Sequence, residues 1–240
     1  MLNYIIISFK LLFLTIIQLI IFILSSIFNK KQCPIIVKIY YKILYFSLGL
    51  NTPIIRDLRK NKKNPKIIVY QHNSYFDPFI LYEHFNNISP IAGDQYKKHI
   101  FMGQFLKNLN CIFTKKGETV TKIKQIVNFT NNTVMIAPDS GLNTKDNFFG
   151  EFKTGAFICL KPVTPVLFVY SSPSEESDAI WRNDDNFISW FKRKIMTNEY
   201  VDVKVYILDE ICPKKWHDPK SFAKYTKNIM KEMYEKLKNY

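Results

Sequence analysis

Apolar and polar positions alternate along most of the chain in short blocks, but the first fifty residues break that rhythm. From Leu11 to Phe28 the stretch LLFLTIIQLIIFILSSIF carries no charge. A helix of that length covers roughly 27 Å at ~1.5 Å per residue, close to the ~30 Å hydrocarbon core of a bilayer. The pattern predicts a spanning or deeply embedded helix. A cleaved leader fits less well, because the apolar run exceeds a usual leader core and SSIFNKKQC lacks a small-x-small cleavage pattern. Ile35 to Leu50, IIVKIYYKILYFSLGL, sets Lys38 and Lys42 one helical turn apart in an apolar, aromatic stretch. That suits an interfacial helix with snorkelling lysines, and equally a core helix of the following domain.

Beyond the basic connector Arg56–Lys66, apolar blocks alternate between two periods. KIIVY (66–70), NCIFT (110–114), TVMIA (133–137), PVLFVY (165–170) and VDVKVYIL (201–208) read as strands. PFILYEHF (78–85) and TKIKQIVNF (121–129) read as helices. The tail from Ser221 places Phe222, Tyr225, Ile229, Met233 and Leu237 at steps of three and four, an amphipathic closing helix. Strand and helix in turn predict an α/β fold, a mixed sheet flanked by helices, preceded by an N-terminal membrane-embedded helical segment. The predicted division is 1–50 for anchor and interfacial helix and 51–240 for the domain. With 240 residues, 47% of them hydrophobic, the chain suffices for one substantial domain.

Charge narrows the partners. The formal charge is +14, carried almost wholly by lysine, with Arg56, Arg59, Arg182 and Arg193 the only arginines. Such a chain is drawn to anionic surfaces, while the scarcity of bidentate arginines speaks against a base-reading nucleic-acid binder. Lys30 and Lys31, directly after the apolar run, place the body on the cytosolic side of a membrane, that of the endoplasmic reticulum in a eukaryotic cell, whether the chain is single-pass or monotopic. Cys33, Cys111, Cys159 and Cys212 lie far apart without a C-x-x-C pair, so neither a zinc site nor a disulfide framework is indicated.

One short stretch carries candidate chemistry. QHNSYFDPFI, Gln71–Ile80, sets His72 five residues before Asp77. Asp followed by Pro suits a helix start, Asp as N-cap and Pro at the first helical position, and WHDPKSF repeats the pair at Asp218 where no chemistry is needed. On a regular helix, positions five apart point ~140° away from one another. The two side chains meet only if NSYF folds as a turn between strand and helix. Asp77 then orients one ring nitrogen of His72 and leaves the other to take a proton, a general base that needs no serine or cysteine nucleophile nearby.

Four stretches in order resemble the lysophospholipid and glycerophosphate acyltransferases, the family with an H-x4-D motif. QHNSYFD matches the histidine–aspartate block, CIFTKKGE (111–118) the second, APDSGLNTKDNFFGEFKTGAF (137–157) the third, and KPVTPVLFVY (161–170) the Pro-rich fourth. The match runs from about Lys66 to Tyr170. EFKTGAF followed by PVTPV is its most specific part, and it looks nearest the branch acylating lysophosphatidylcholine and related lysolipids. The resemblance implies acyl transfer from acyl-CoA, a co-substrate, to a free lysophospholipid hydroxyl, with His72 as base, Asp77 as its orienter, and neither cofactor nor metal. It implies phosphate neutralisation by Lys115, Lys116 and Lys153, an acceptor pocket shaped by Asp139 and Gly141, and backbone N–H groups brought close around Gly155. The second block ends in lysines where arginine is usual. In the third, Pro138-Asp139-Ser140-Gly141 replaces Pro-Glu-Gly-Thr, with Ser140 inserted. That change sustains a rival expectation, a non-catalytic membrane protein of the same fold that binds anionic lipid. Headgroup, acyl length, esterified position and oligomeric state depend on surfaces that no short motif fixes.

Overall fold

The computed structural model describes residues 8–10, 12–13, 15–16, 19–20, 33–85, 87–98, 103, 106–107, 110–115, 117–129, 132–139, 143–174, 178–183, 185–197, 199–213 and 218–238. Among these, the strands are β1 (Ile54–Asp57), β2 (Ile67–Tyr70), β3 (Ile88–Gly93), β4 (Ile112–Thr114), β5 (Thr133–Ile136), β6 (Thr164–Ser171) and β7 (Asp202–Ile207). The helices are α1 (Cys33–Ser47), α2 (Asp77–His84), α3 (Thr119–Phe129), α4 (Phe187–Met196) and α5 (Pro219–Leu237). The strands form one 7-stranded sheet in the order β1-β7-β6-β2-β5-β3-β4. β2 is parallel to β5 through Ile67↔Val134 and to β6 through Val69↔Pro165. β6 and β7 are antiparallel from Val166↔Ile207 to Ser171↔Asp202, so β7 and its parallel neighbour β1 run against the other five. The sheet is mixed, as the alternating blocks predict.

Every residue of β2 and β5 is buried, which is what a continuous apolar run means for strands covered on both faces. The pleat divides them. Ile68 and Phe168 join Tyr41, Tyr45, Phe76, Leu81 and Trp190 in the cluster built with α1, α2 and α4. Ile67, Val69 and Leu167 face Phe157, Ile123, Phe222 and Met230, with α3 and α5.

Of the two readings of the second apolar helix, packing on the domain describes α1. Tyr41 stacks on Phe79 with centroids 4.6 Å apart, and Leu44, Tyr45 and Leu48 are buried beside it. Lys42 lies outside, 3.9 Å from Glu83, and Ile39 and Phe46 face outward. Gly49 turns the chain out of α1 at φ +68, where a Cβ would stand 2.6 Å from the Glu199 carbonyl oxygen; only glycine fits.

The span read over Leu11–Phe28 falls largely outside the described residues. Leu12, Phe13, Thr15, Ile16, Leu19 and Ile20 are helical and exposed. Among the described residues no helix is long and apolar enough to cross a membrane. Three elements were not legible. β1 begins before the connector and includes its first charged residues, an edge strand half open to solvent; β3 carries Pro90 and ends in Gly93. α4 is short and starts at a capping box between Asn186 and Ser189.

Candidate active site

Because β2, β6, β5, β3 and β4 run parallel, their carboxyl ends open on one edge of the sheet, where open α/β sheets place their sites. β2 stops at Tyr70, and Gln71, fully buried, ties the exit to β6 by donating from Nε2 to the Phe168 carbonyl at 2.9 Å. The next residues form the turn that the spacing requires. The His72 carbonyl accepts from the Asn143 N–H at 2.6 Å and the Asn73 carbonyl from the Trp181 N–H at 2.8 Å. The Asp77 N–H closes the turn on the Ser74 carbonyl at 3.2 Å.

Asp77 is 0% exposed, so its carboxylate has to find its partners inside the protein. Oδ2 accepts from the N–H groups of Asn73 and Ser74, each at 2.8 Å, and lies 3.1 Å from His72 Nδ1. Oδ1 accepts from the Tyr170 hydroxyl at 2.5 Å. This corrects the N-cap reading. Asp77 is the first residue of α2, the cap position is Phe76 in helical conformation, and no side chain caps it. The carboxylate turns back to the preceding turn because three donors wait there. Asp218, with the same Asp-Pro pair, is a true N-cap: its backbone is extended and its side chain accepts from the Ser221 N–H at 2.9 Å.

A carboxylate at Nδ1 assigns the proton to that nitrogen and the lone pair to Nε2. The His72 side chain is 19% exposed, so the ring is reachable while its partner is sealed. Tyr70 lies edge-on to the ring at 5.6 Å. Burial, reinforced by the charges of Asp77 and Asp139, keeps its phenol protonated far above the usual range.

The third sequence block wraps this turn. Asn73 donates from Nδ2 to the Phe148 carbonyl at 3.2 Å, Asn143 donates from Nδ2 to Asp139 Oδ2, and Thr144 bridges to Trp181. Asp139 therefore holds its own loop one step from the dyad. Gly150 lets that loop close, since a Cβ there would lie 2.5 Å from Asn143 Oδ1. The Lys153 N–H donates to the Pro138 carbonyl at 2.8 Å, leaving the Lys153 side chain exposed. Gly155 sits in a 3-10 turn, Thr154–Ala156, with nothing within 4 Å of where a Cβ would stand, so packing does not demand glycine. Lys115 follows β4 on the same edge, exposed. Lys116 and Gly141 lie outside the described residues. Tyr170, Asn143 and Trp181 escaped the sequence reading; the one available signal was a tyrosine ending a strand at the carboxyl edge. Among the described residues no group of three or more His, Cys, Asp or Glu is placed to hold a metal ion.

Comparison with known proteins bears on the family and the fold. Residues 53–169 match the family model described as Acyltransferase. The lysophospholipid acyltransferase LPEAT1 of Arabidopsis thaliana is 29% identical over 133 residues, 50% of this chain and 32% of that protein. The chain thus spans about a third of the length of that curated relative. The crystal structure of the 1-acyl-sn-glycerophosphate (LPA) acyltransferase PlsC from Thermotoga maritima superposes with a TM-score of 0.70, covering 98% of this chain and 96% of that one. At 16% identity the likeness is one of fold.

Proposed function

Because the chain belongs to the lysophospholipid and glycerophosphate acyltransferase family, we propose that it transfers a fatty acyl group from acyl-CoA to the free hydroxyl of a lysophospholipid. What carries this reading is the His72–Asp77 pair, a reachable imidazole held at Nδ1 by a sealed carboxylate. Nε2 takes the proton of the lysolipid hydroxyl as its oxygen bonds to the thioester carbonyl carbon. The tetrahedral intermediate then breaks its C–S bond, and the CoA thiolate leaves with the proton held by imidazolium. The Asp77 carboxylate, beside Nδ1, stabilises that imidazolium.

Lys115 and Lys153, both exposed, are assigned to phosphate groups of acceptor or CoA as point charges, together with Lys116. Asp139 and Gly141 are assigned to the loop that walls the acceptor, and Gly155 to backbone contact with it. The substrates are amphiphiles, and a +14 chain with exposed Phe9, Leu12, Ile16, Ile39 and Phe46 suits a membrane surface. The rival reading, a non-catalytic lipid binder, is not favoured, since such a protein has no use for an oriented base.

The test gives purified protein in detergent acyl-CoA and a panel of lysolipids while released CoA thiol is followed. Wild type should turn over at least one of them, and His72→Ala should lose ~10²- to 10⁴-fold, the usual contribution of a general base. Wild-type turnover no faster than that of His72→Ala would sink the proposal.

A further inference from the structure

We infer that Tyr170 is a positioning residue of the dyad, its hydroxyl holding Asp77 by Oδ1 so that Oδ2 meets His72 Nδ1. The inference rests on the acyltransferase reading of His72 and goes beyond it, because the tyrosine stands 93 residues from Asp77 and touches no reacting atom.

The strand lengths build the contact. β2 leaves the ladder after Tyr70, opposite Val166, while β6 continues to Ser171. The extra length of β6 runs beside the His72 turn. Its Phe168 carbonyl takes Gln71, and one pleat further its Tyr170 hydroxyl reaches Asp77. Three of the four donors on Asp77 converge on Oδ2. Oδ1 has Tyr170. Without that bond a buried carboxylate is free to turn about Cβ–Cγ and exchange its oxygens, which loosens the bond that fixes the His72 tautomer.

The hydroxyl is also a dependable donor. Burial and the adjacent Asp77 charge raise its pKa well above the ordinary tyrosine value, with Ser74 a smaller opposing influence. The chain of bonds runs from Tyr170 to Asp77 Oδ1, with His72 on Oδ2. Among the described residues, the ionisable groups around Tyr170 and His72 include Tyr45 from α1, Tyr70 from β2, Asp139 from the loop after β5, and Cys111 before β4, which acts on Tyr70.

Tyr170→Phe keeps the ring, which stacks on Phe168 at 6.3 Å, and removes only the hydroxyl. We expect kcat to fall ~10- to 100-fold with KM within about 2-fold, and the acidic limb of kcat/KM to fall by roughly half to one pH unit, because a loosened carboxylate stabilises the imidazolium less. His72 ring 15N NMR should give the same downward displacement and a mixed tautomer. A 3,5-difluorotyrosine at position 170 is a stronger donor of nearly the same shape. It should move the limb the other way, and it serves if Tyr170→Phe does not fold. NMR displacement in a wild type that acylates no lysolipid supports the positioning and sinks only the acyltransferase reading. Wild-type kcat, pH limb and NMR titration in both variants would overturn the inference.

Discussion

Four donors aimed at one buried carboxylate decide what a single substitution at Asp77 removes. Asparagine has nearly the same shape but only one acceptor oxygen, so its NH2 group must face either the Tyr170 hydroxyl or the three donors gathered on Oδ2. Asp77→Asn should lower turnover ~100-fold or more by thiol release, since His72 loses its fixed tautomer. It should also lower the urea-unfolding free energy by about 1–3 kcal/mol, because buried polar groups are left unpaired. An unchanged urea midpoint would show that the turn does not depend on the charge. At this scale the sequence revealed half of the site. His72 and Asp77 were legible because their spacing is local and a turn brings them together. Tyr170, Asn143 and Trp181 were not, because each arrives from a distant segment whose position is set by strand order. Asp77 was also misread as a cap, since Asp-Pro looks the same whether the carboxylate faces its helix, as in Asp218, or turns away from it.

Elements with a strong period were legible and those without one were not. β2 and β5 are buried at every position, and α5 forms as its period predicts, although it buries Phe222, Ala223, Thr226 and Met230 and leaves Tyr225 of the expected stripe exposed. β1 and β3 form through pairing with β7 and β5, and their charged, Pro or Gly residues conceal a strand until the partner is known. The two Asp-Pro helices make a paired prediction. Asp218→Ala removes a working cap from α5 and should lower the thermal or urea midpoint, with turnover unchanged. A loss of activity there would mean that α5 does more than close the fold. The glycines of the third block make another pair. Gly150→Ala drives a methyl group toward Asn143 and Asp139, whose loop supports the His72 carbonyl. It should cost about 1–3 kcal/mol, as overpacking does, and reduce turnover as well. Gly155→Ala meets open space and should leave stability within ~0.5 kcal/mol of wild type. Any activity lost at Gly155 then reports contact with substrate and not packing.

Across the whole molecule an excess of positive charge has to be accommodated, and the N-terminal segment meets the domain at one such place. Lys10 donates from Nζ to the carbonyls of Ile195 and Thr197, at 3.5 and 3.3 Å, where α4 ends and its carbonyls favour a cation. One residue before Ile195 lies Lys194, 0% exposed. Burial first, then the like charges of Arg193 and Lys10, lower its pKa to about 8, against the opposing pull of Asp178 and Glu199. An unfolded lysine titrates near ~10.4. Between those values the unfolded chain binds more of this proton than the folded one, so stability rises with pH across the interval. Below it, the full cost of the buried charge is present, on the order of 3 kcal/mol at most. Urea unfolding at pH 7, 8, 9 and 10 should therefore show a rising contribution in wild type that Lys194→Met lacks. Lys10→Met removes one like charge and should displace the rise to higher pH, which ties the N-terminal segment energetically to α4. If Lys10→Met leaves the wild-type slope in place, the two lysines are not coupled and the segment docks independently of the charge at Lys194.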